Sequence, residues 1–205
     1  MIPDFKHEQV LWQKGYQYIA GIDEVGRGAW AGPIVAAGVI FEKKLDLSGI
    51  KDSKSITAKK RLSLVDEIKN NALAWTVEVV SNQEIDQIGV GKANALVIDK
   101  VINGLVLRPD YLLIDKASVT KYKIKIPWET IVKGDSKIYS IAAASILAKV
   151  YRDNLMEKLA AKYPGYGFEE HKGYGTSKHR QMLDKLNICE IHRKSYKPVS
   201  QRQLI

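Results

Sequence analysis

The pattern of apolar and polar positions along the chain predicts alternating strands and helices. Strands are predicted at residues 16–24, 34–41, 74–80 and 110–115, and β-prone residues continue at 123–126. Helices are predicted at 57–70, where Thr57 is the expected N-cap, and at 94–105, 137–159 and 177–186. A glycine-rich turn separates the first two strands, which indicates an antiparallel hairpin.

This order of elements predicts the fold class. A hairpin comes first, and later strands alternate with helices, so we expect an α/β protein with a mixed sheet flanked by helices. The length of 205 residues favours one domain spanning residues 1–205. Residues from about 176 to 205 are expected to form a small, basic, helical C-terminal extension of that domain.

Composition favours a globular protein with a polyanionic partner. Hydrophobic residues make up 45% and charged residues 27% of the chain, and the net charge is +9. Between residues 172 and 202 there are eight Lys and Arg against two acids, with Tyr174 and Tyr196 interleaved. Basic residues concentrated in this way are typical of a surface that contacts a nucleic-acid backbone, although a solvated helical face has the same composition.

The sequence also bears on the cellular compartment. Residues 1–15 carry charges and lack the apolar run of a signal peptide, and no stretch is apolar enough to span a bilayer. The single cysteine, Cys189, fits a reducing compartment, so we expect a cytoplasmic protein without a membrane partner. The Cys189-x-x-His192 spacing, with His171 and His179 nearby, is too poor in cysteine to predict a zinc site.

Two carboxylates stand at the end of the first predicted strand. Asp23 and Glu24 follow the apolar residues YQYIAGI, where a carboxylate loses hydration and needs a cation or hydrogen-bond donors. Both can reach one ion only if the strand ends or bulges there, which Gly26 would permit. Loop carboxylates at an ordinary strand exit are the alternative.

Two further acids strengthen the case for a metal site. Asp115 ends the apolar strand YLLID, and Asp135 lies in KGDSK before the Ala-rich helix, where it or Ser136 could instead be a helix N-cap. If the four carboxylates converge, they form an all-oxygen site suited to one or two Mg²⁺ or Mn²⁺ ions, which can drive phosphodiester hydrolysis. Asp153 is expected to form a structural pair with its neighbour Arg152 instead.

Three other functions can be compared with metal-dependent phosphodiester hydrolysis. Glycines 26, 28 and 32 superficially match a dinucleotide-binding loop, but Pro33 and IVAAGVIF continue as strand where that loop opens a helix. A non-catalytic nucleic-acid binder and another metal nuclease of similar fold stay open at this point.

Seven motifs, in order along nearly the whole chain, resemble bacterial ribonuclease HII. They are GIDEVGRG (21–28), AGP (31–33), KDSK (51–54), YLLID (111–115), KGDSKIYSIAAASILAKVYRD (133–153), KGYGTSKH (172–179) and HRKSYKPV (192–199). The resemblance implies a ribonuclease H-like fold. It also implies that Asp23, Glu24, Asp115 and Asp135 are catalytic residues that bind Mg²⁺ or Mn²⁺.

The resemblance further implies a substrate and a way to recognise it. Gly26, Arg27, Gly28 and Tyr174 would read the ribose 2′-hydroxyl at an RNA-to-DNA junction, and glycines allow the close approach of backbone to sugar that this requires. The lysines of KDSK, Lys51 and Lys54, are candidate phosphate contacts. Where the family often has Pro-Leu, this chain has Ala29-Trp30, and Lys116 replaces the more usual small residue.

The implied activity is hydrolysis of the RNA strand of RNA/DNA hybrids and nicking 5′ to ribonucleotides embedded in duplex DNA. A two-metal mechanism would give 3′-hydroxyl and 5′-phosphate ends. The expected role is ribonucleotide removal and RNA primer processing, by a monomer without an obligate protein partner.

Overall fold

A computed structural model describes residues 3–43, 58–115 and 124–202. Its centre is a five-stranded sheet in the order β3-β2-β1-β4-β5. The strands are β1 (Ile19–Val25), β2 (Ile34–Phe41), β3 (Ala72–Val80), β4 (Tyr111–Asp115) and β5 (Trp128–Ile131). The β1–β2 and β2–β3 pairs are antiparallel, whereas β1–β4 and β4–β5 are parallel. The predicted mixed sheet and hairpin are therefore confirmed.

Helices cover both faces of the sheet. They are α1 (Lys6–Gln13), α2 (Ala58–Asn71), α3 (Asn82–Ile88), α4 (Val90–Gly104), α5 (Tyr139–Lys162), α6 (Phe168–His171), α7 (Ser177–Leu186) and α8 (Lys197–Ser200). Strand β2 is buried along its whole length. Its alternate side chains belong to two separate clusters, so Ile34 and Ile40 pack with the α4 side while Val35 and Val39 pack with the α5 side.

Helix α5 packs unusually close to the central strand β1. A Cβ atom on Gly21 would lie 2.3 Å from the carbonyl carbon of Ser140, so a side chain there would push the helix away. Ser140 also anchors α1, since its hydroxyl donates a 2.8 Å hydrogen bond to the buried Glu8. The close approach of α5 sets the distance between this helix and the end of β1, where Asp23 lies.

Several elements differ from the prediction. Helices α1, α3, α6 and α8 were not predicted, although Ser81 and Glu84 form a capping box that signals the start of α3. Strand β5 follows the β-prone stretch at 123–126 instead of coinciding with it. The expected N-cap of α2, Thr57, lies outside the described residues.

Residues 168–202, which we call the C-terminal segment, pack against the end of α5 and the β1–β2 connection. Phe168, Leu183 and Ile191 form an apolar cluster with Met156 of α5 and Ala31. We refer to the connection at residues 26–33 as the glycine loop. Its backbone forms a bridge between Ala31 and His192, so the C-terminal segment lies directly beside it. None of the helices in the described ranges is long and apolar enough to cross a membrane.

Candidate active site

Asp23 and Asp115 lie side by side at the carboxyl ends of two neighbouring parallel strands. Ile22 of β1 is paired with Ile114 of β4, so the residues that follow them come to the same edge of the sheet. Asp23 is 8% exposed and Asp115 is 9% exposed. The predicted convergence of these two carboxylates is what parallel pairing of β1 with β4 produces.

Asp135 reaches the same region from a short 3₁₀ turn, Gly134–Ser136, and is buried. The Gly134 amide donates a hydrogen bond of 3.3 Å to Asp115 Oδ1, which ties the turn to the end of β4. Helix α5 begins at Tyr139, and its N-cap Ile138 makes no side-chain cap hydrogen bond. The alternative that Asp135 or Ser136 caps this helix is therefore wrong, because both residues belong to the preceding turn.

The backbone at Glu24 does not have the strand end or bulge that the sequence analysis required for a shared ion. Strand β1 continues through Val25, and Glu24 is paired with Ala36 in regular register, so the strand neither ends nor bulges before it. Asp23 and Glu24 therefore leave opposite faces of the sheet. Glu24 nevertheless borders the same cleft as Asp23 and Asp115, because it lies almost at the end of the strand.

The carboxylates repel one another in a buried setting. Burial, reinforced by the negative charges of Asp115 and Asp135, raises the pKa of Asp23 to about 7, although a hydrogen bond from Ser145 opposes the shift. Burial also raises the pKa of Glu24, as do Asp23 and Asp115, while Arg27 opposes the shift. Negative charge concentrated in this way is stabilised by a bound cation.

The same residues suit a divalent metal ion by their chemistry, but they are not yet a finished coordination shell. Carboxylate oxygens are the preferred ligands of Mg²⁺ and Mn²⁺. Within the ranges that the structure describes, no group of three or more His, Cys, Asp or Glu side chains is already arranged to hold a metal ion. The acids are neighbours, and binding of one ion by several of them would require their side chains to move closer together.

A cleft of about 320 Å³ joins the carboxylates to the residues expected to bind substrate. It is lined by Asp23, Glu24, Val25, Gly26, Arg27, Gly28, Arg61, Asp115, Ser145, Lys149 and Tyr174. Asp135 does not line this cleft, although it is close enough to raise the pKa of Asp23. Lys51, Lys54 and Lys116 lie outside the described residues.

Tyr174 contacts the glycine loop directly. The amide of Gly26 donates a 3.1 Å hydrogen bond to the Tyr174 hydroxyl. Gly26 has a φ of +92°, and a Cβ there would lie 2.2 Å from Arg152 Nε, so the position requires glycine. Two segments that the sequence analysis assigned separately to substrate binding therefore form one wall of the cleft.

Two charged residues of this cleft, Arg61 and Lys149, were not singled out in the sequence analysis. Ser145 and Lys149 are four residues apart on α5, which places them on one helix face, and this spacing was a usable signal. Asp153 pairs with Lys149 at 2.7 Å and with Arg61 at 3.9 Å. The expected Asp153–Arg152 pair is wrong, because successive helical side chains diverge and Arg152 points into the core.

A buried chain of histidines supports Tyr174 from behind. The Cys189 amide donates to Nδ1 of His192 at 2.9 Å, so Nε2 of His192 carries the proton and donates to Nε2 of His179 at 3.1 Å. Nδ1 of His179 then donates to the Tyr174 carbonyl at 3.0 Å. This order requires both rings to be neutral, and burial indeed lowers the pKa of each to about 4.

Fold and site together define a class of protein. A mixed sheet with antiparallel β1–β2 and β2–β3 pairs, parallel β4 and β5, and buried carboxylates at the ends of β1 and β4 is the arrangement of a ribonuclease H-like nuclease. The comparisons with known proteins agree. The sequence pattern of the ribonuclease HII family matches residues 20–199, so the chain belongs to the ribonuclease HII family. It is a metal-dependent ribonuclease H that acts on RNA/DNA substrates.

Individual relatives and structures support this assignment. The chain is 49% identical to ribonuclease HII of Clostridioides difficile over 90% of this chain and 72% of that protein. It is 45% identical to ribonuclease HII of Listeria monocytogenes over 97% of this chain and 75% of that protein. The crystal structure of ribonuclease H2 from Pyrococcus horikoshii superposes with a TM-score of 0.80 at 26% identity, over 91% of this chain and 97% of that one.

A more distant structure shares the fold. The crystal structure of Bst-RNase HIII in complex with Mn²⁺ superposes with a TM-score of 0.66 at 20% identity, over 94% of this chain and 71% of that one.

Proposed function

We propose that the chain nicks duplex DNA on the 5′ side of embedded ribonucleotides and hydrolyses the RNA strand of RNA/DNA hybrids. The observation that carries this proposal is the shared cleft, in which Asp23 and Asp115 lie beside the glycine loop and Tyr174. Residues that can direct hydrolysis and residues that can recognise a sugar thus border one space. The family's activity on RNA/DNA substrates supports the coarser part of the proposal.

The ribose would be recognised by the wall formed by Gly26 and Tyr174. Because the Tyr174 hydroxyl accepts a hydrogen bond from Gly26, its own proton is directed elsewhere and can be donated to a 2′-hydroxyl. A Cβ on Gly28 would meet no atom within 4 Å, so the backbone there is open to an approaching sugar. A 2′-hydroxyl distinguishes RNA from DNA at such a contact.

The carboxylates would hold Mg²⁺ or Mn²⁺, with Asp23, Glu24, Asp115 and Asp135 as ligands. When bound, a pair of such ions would activate the attacking water and stabilise the leaving oxygen, giving 3′-hydroxyl and 5′-phosphate ends. Ser145 orients Asp23 by a hydrogen bond, and Lys149 and Arg61 bring positive charge to the cleft where a scissile phosphate would lie. The Mn²⁺ bound by Bst-RNase HIII, which shares the fold, supports this choice of metals.

The remaining proposals concern the wider protein. Lys51, Lys54 and the basic C-terminal segment would contact the duplex backbone. We further propose one catalytic domain with residues from about 176 as its extension, acting as a cytoplasmic monomer in ribonucleotide removal and RNA primer processing. The packing of Ile191 and Leu183 against Ala31 supports a single domain, because it joins the extension to the glycine loop.

Analysis of the product ends tests the chemistry. We expect the upstream product of a cut hybrid to carry a 3′-hydroxyl that a DNA polymerase extends without prior treatment. A 2′,3′-cyclic phosphate would contradict the proposal, because the ribose 2′-hydroxyl would then be the nucleophile. An all-DNA four-way junction serves as the control, and its cleavage would favour a different metal nuclease of similar fold.

A further inference from the structure

Two arginines, Arg152 of α5 and Arg193 of the C-terminal segment, are 0% exposed. A guanidinium group loses much hydration when it is buried, so its donors must be matched by acceptors. The matching here is unusual, because the acceptors are main-chain carbonyls and one tyrosine hydroxyl. Buried guanidinium groups that donate hydrogen bonds to several main-chain carbonyls fix the conformation of the loop that carries those carbonyls.

Most of those carbonyls belong to the glycine loop. Arg152 donates to the carbonyls of Pro33 at 3.0 Å and Ala31 at 3.3 Å. Arg193 donates to the carbonyls of Gly32 and Arg27, both at 2.9 Å. The planar fork of a guanidinium can serve two carbonyls at fixed directions, which a lysine ammonium cannot do.

The same two side chains also reach the tyrosines beside the loop. The guanidinium of Arg152 lies 5.3 Å from the ring centroid of Tyr174 and donates to the carbonyl of Lys172 at 2.9 Å. Arg193 donates to the Tyr196 hydroxyl at 2.9 Å, and that hydroxyl donates to the Arg27 carbonyl. Arg152 therefore lies under both Gly26 and Tyr174, which meet each other at the cleft.

One feature of Arg193 argues against a purely stabilising role. Its Nη2 atom is buried and has no hydrogen-bond partner among the described residues. An unmatched buried donor lowers the stability of the fold. A buried donor without a partner calls for an explanation beyond stability, and a role in shaping the neighbouring cleft supplies one.

We propose that Arg152 and Arg193 are positioning residues that fix the glycine loop and Tyr174 relative to each other. Discrimination of ribose from deoxyribose then depends on both arginines. This inference rests on the proposed 2′-hydroxyl recognition. It adds that recognition is set by two cations that touch neither the substrate nor the carboxylates. General affinity for duplex should not depend on them, because phosphate contacts come from other basic residues.

The test is a pair of binding measurements on Arg193→Lys, which keeps the charge and removes the fork. Fluorescence anisotropy in chelator gives the affinity for a duplex with one ribonucleotide and for the all-DNA duplex of the same sequence. We expect wild type to bind the duplex with a ribonucleotide more tightly than the all-DNA duplex. In the variant the ratio of the two affinities should be about 5- to 10-fold smaller, which is the value of one good hydrogen bond. Its affinity for the all-DNA duplex should stay within about twofold of wild type.

Controls separate the possible failures. Arg108→Lys is the matched control, since Arg108 is exposed and lies outside both the cleft and the basic C-terminal segment. If Arg193→Lys does not fold, Tyr196→Phe removes one hydroxyl from the same network and should show a smaller loss of preference. An unchanged preference, or an equal loss of affinity for both duplexes, would overturn this inference about the arginines. It would leave the proposed 2′-hydroxyl recognition standing. A wild type without any preference would overturn the proposed 2′-hydroxyl recognition itself.

Discussion

The phenolic oxygen of Tyr174 lies 3.1 Å from the backbone nitrogen of Gly26, although 148 positions separate the two residues in the chain. This hydrogen bond joins the glycine loop to the C-terminal segment at the edge of the carboxylate cleft. The buried histidines and Arg152 hold Tyr174 from behind, so the contact is set before any substrate arrives. Under the proposed function, β1 would join the wall that recognises the sugar to the carboxylates that direct hydrolysis.

Replacing Tyr174 by Phe should selectively weaken cleavage at a ribonucleotide. The variant keeps the ring and loses the hydroxyl, so a hydrogen bond worth about 1 kcal/mol is lost and kcat/KM should fall roughly 3- to 10-fold. Steady-state kinetics on a duplex with one ribonucleotide measures this. Tyr163→Phe is the control, because Tyr163 pairs with Glu190 away from the cleft, and it should be unchanged. Equal losses in both variants would remove Tyr174 from sugar recognition.

Replacing Asp115 by Asn should abolish turnover while the fold is kept. Even indirect partners of a metal site are worth about 10- to 100-fold in activity, so a direct ligand should be worth more than about 100-fold. Asp99→Asn is the matched control, since Asp99 is exposed on α4 and does not line the cleft. Single-turnover cleavage with Mg²⁺ gives the rates, and circular dichroism checks the fold. Retained activity in Asp115→Asn would exclude it as a ligand.

Asp23→Asn should stabilise the metal-free protein while it inactivates the enzyme. Burial raises the pKa of Asp23 from 3.8 to about 7, so its ionisation opposes folding increasingly as the pH rises through that range and most strongly above pH 7. Asparagine removes the charge, and we expect the free energy of unfolding in chelator at pH 8 to rise by roughly 2 kcal/mol. Urea unfolding measures this.

A surface aspartate serves as the control for that measurement, and its replacement should give no increase in the free energy of unfolding. Asp86 accepts hydrogen bonds from the amides of Lys194 and Ser195 near the surface, so Asp86→Asn should not stabilise the protein. A metal-free Asp23→Asn variant that is less stable than wild type would show that the carboxylates do not repel one another as described.

The buried histidines should make the fold sensitive to acid. Burial lowers the pKa of His179 and His192 from 6.5 to about 4, so the unfolded chain binds protons in this interval that the folded chain does not. Their contribution is therefore complete above about pH 6.5 and is lost as the pH falls to about 4, by up to roughly 3 kcal/mol for each ring.

Urea unfolding at pH 7.5, 6, 5 and 4.5 measures this loss. His179→Gln should flatten the dependence by close to one proton. Identical pH dependence in wild type and His179→Gln would contradict the neutral histidine chain.

The sequence predicted best those features that depend on local pattern and strand order. Asp115 ends an apolar strand that could be recognised as buried, and parallel pairing with β1 brings it beside Asp23. The helix at Ser177–Leu186 was predicted with its observed ends. The role of Asp135 was ambiguous, because an acid before a helix is also a common N-cap and only the 3₁₀ turn excludes that alternative.

The sequence could not predict features that arise from contacts between distant segments. Arg152 and Arg193 look like solvated residues in a basic chain, and their burial depends on the C-terminal segment returning to the glycine loop. The order of hydrogen bonds through His192 and His179 likewise requires the loop at Tyr174, helix α7 and the segment at 189–192 to meet. Glu24 was assigned to a strand end, whereas regular pairing with Ala36 carries β1 past it.

The most direct test of the central claim is cleavage of a labelled DNA duplex that contains one ribonucleotide, beside the all-DNA duplex of the same sequence. Each is incubated with Mg²⁺, with Mn²⁺ and with chelator. We predict a single cut on the 5′ side of the ribonucleotide, dependent on metal, and no cut in the all-DNA duplex. Binding without cleavage under either metal, or equal cutting of both duplexes, would contradict the account.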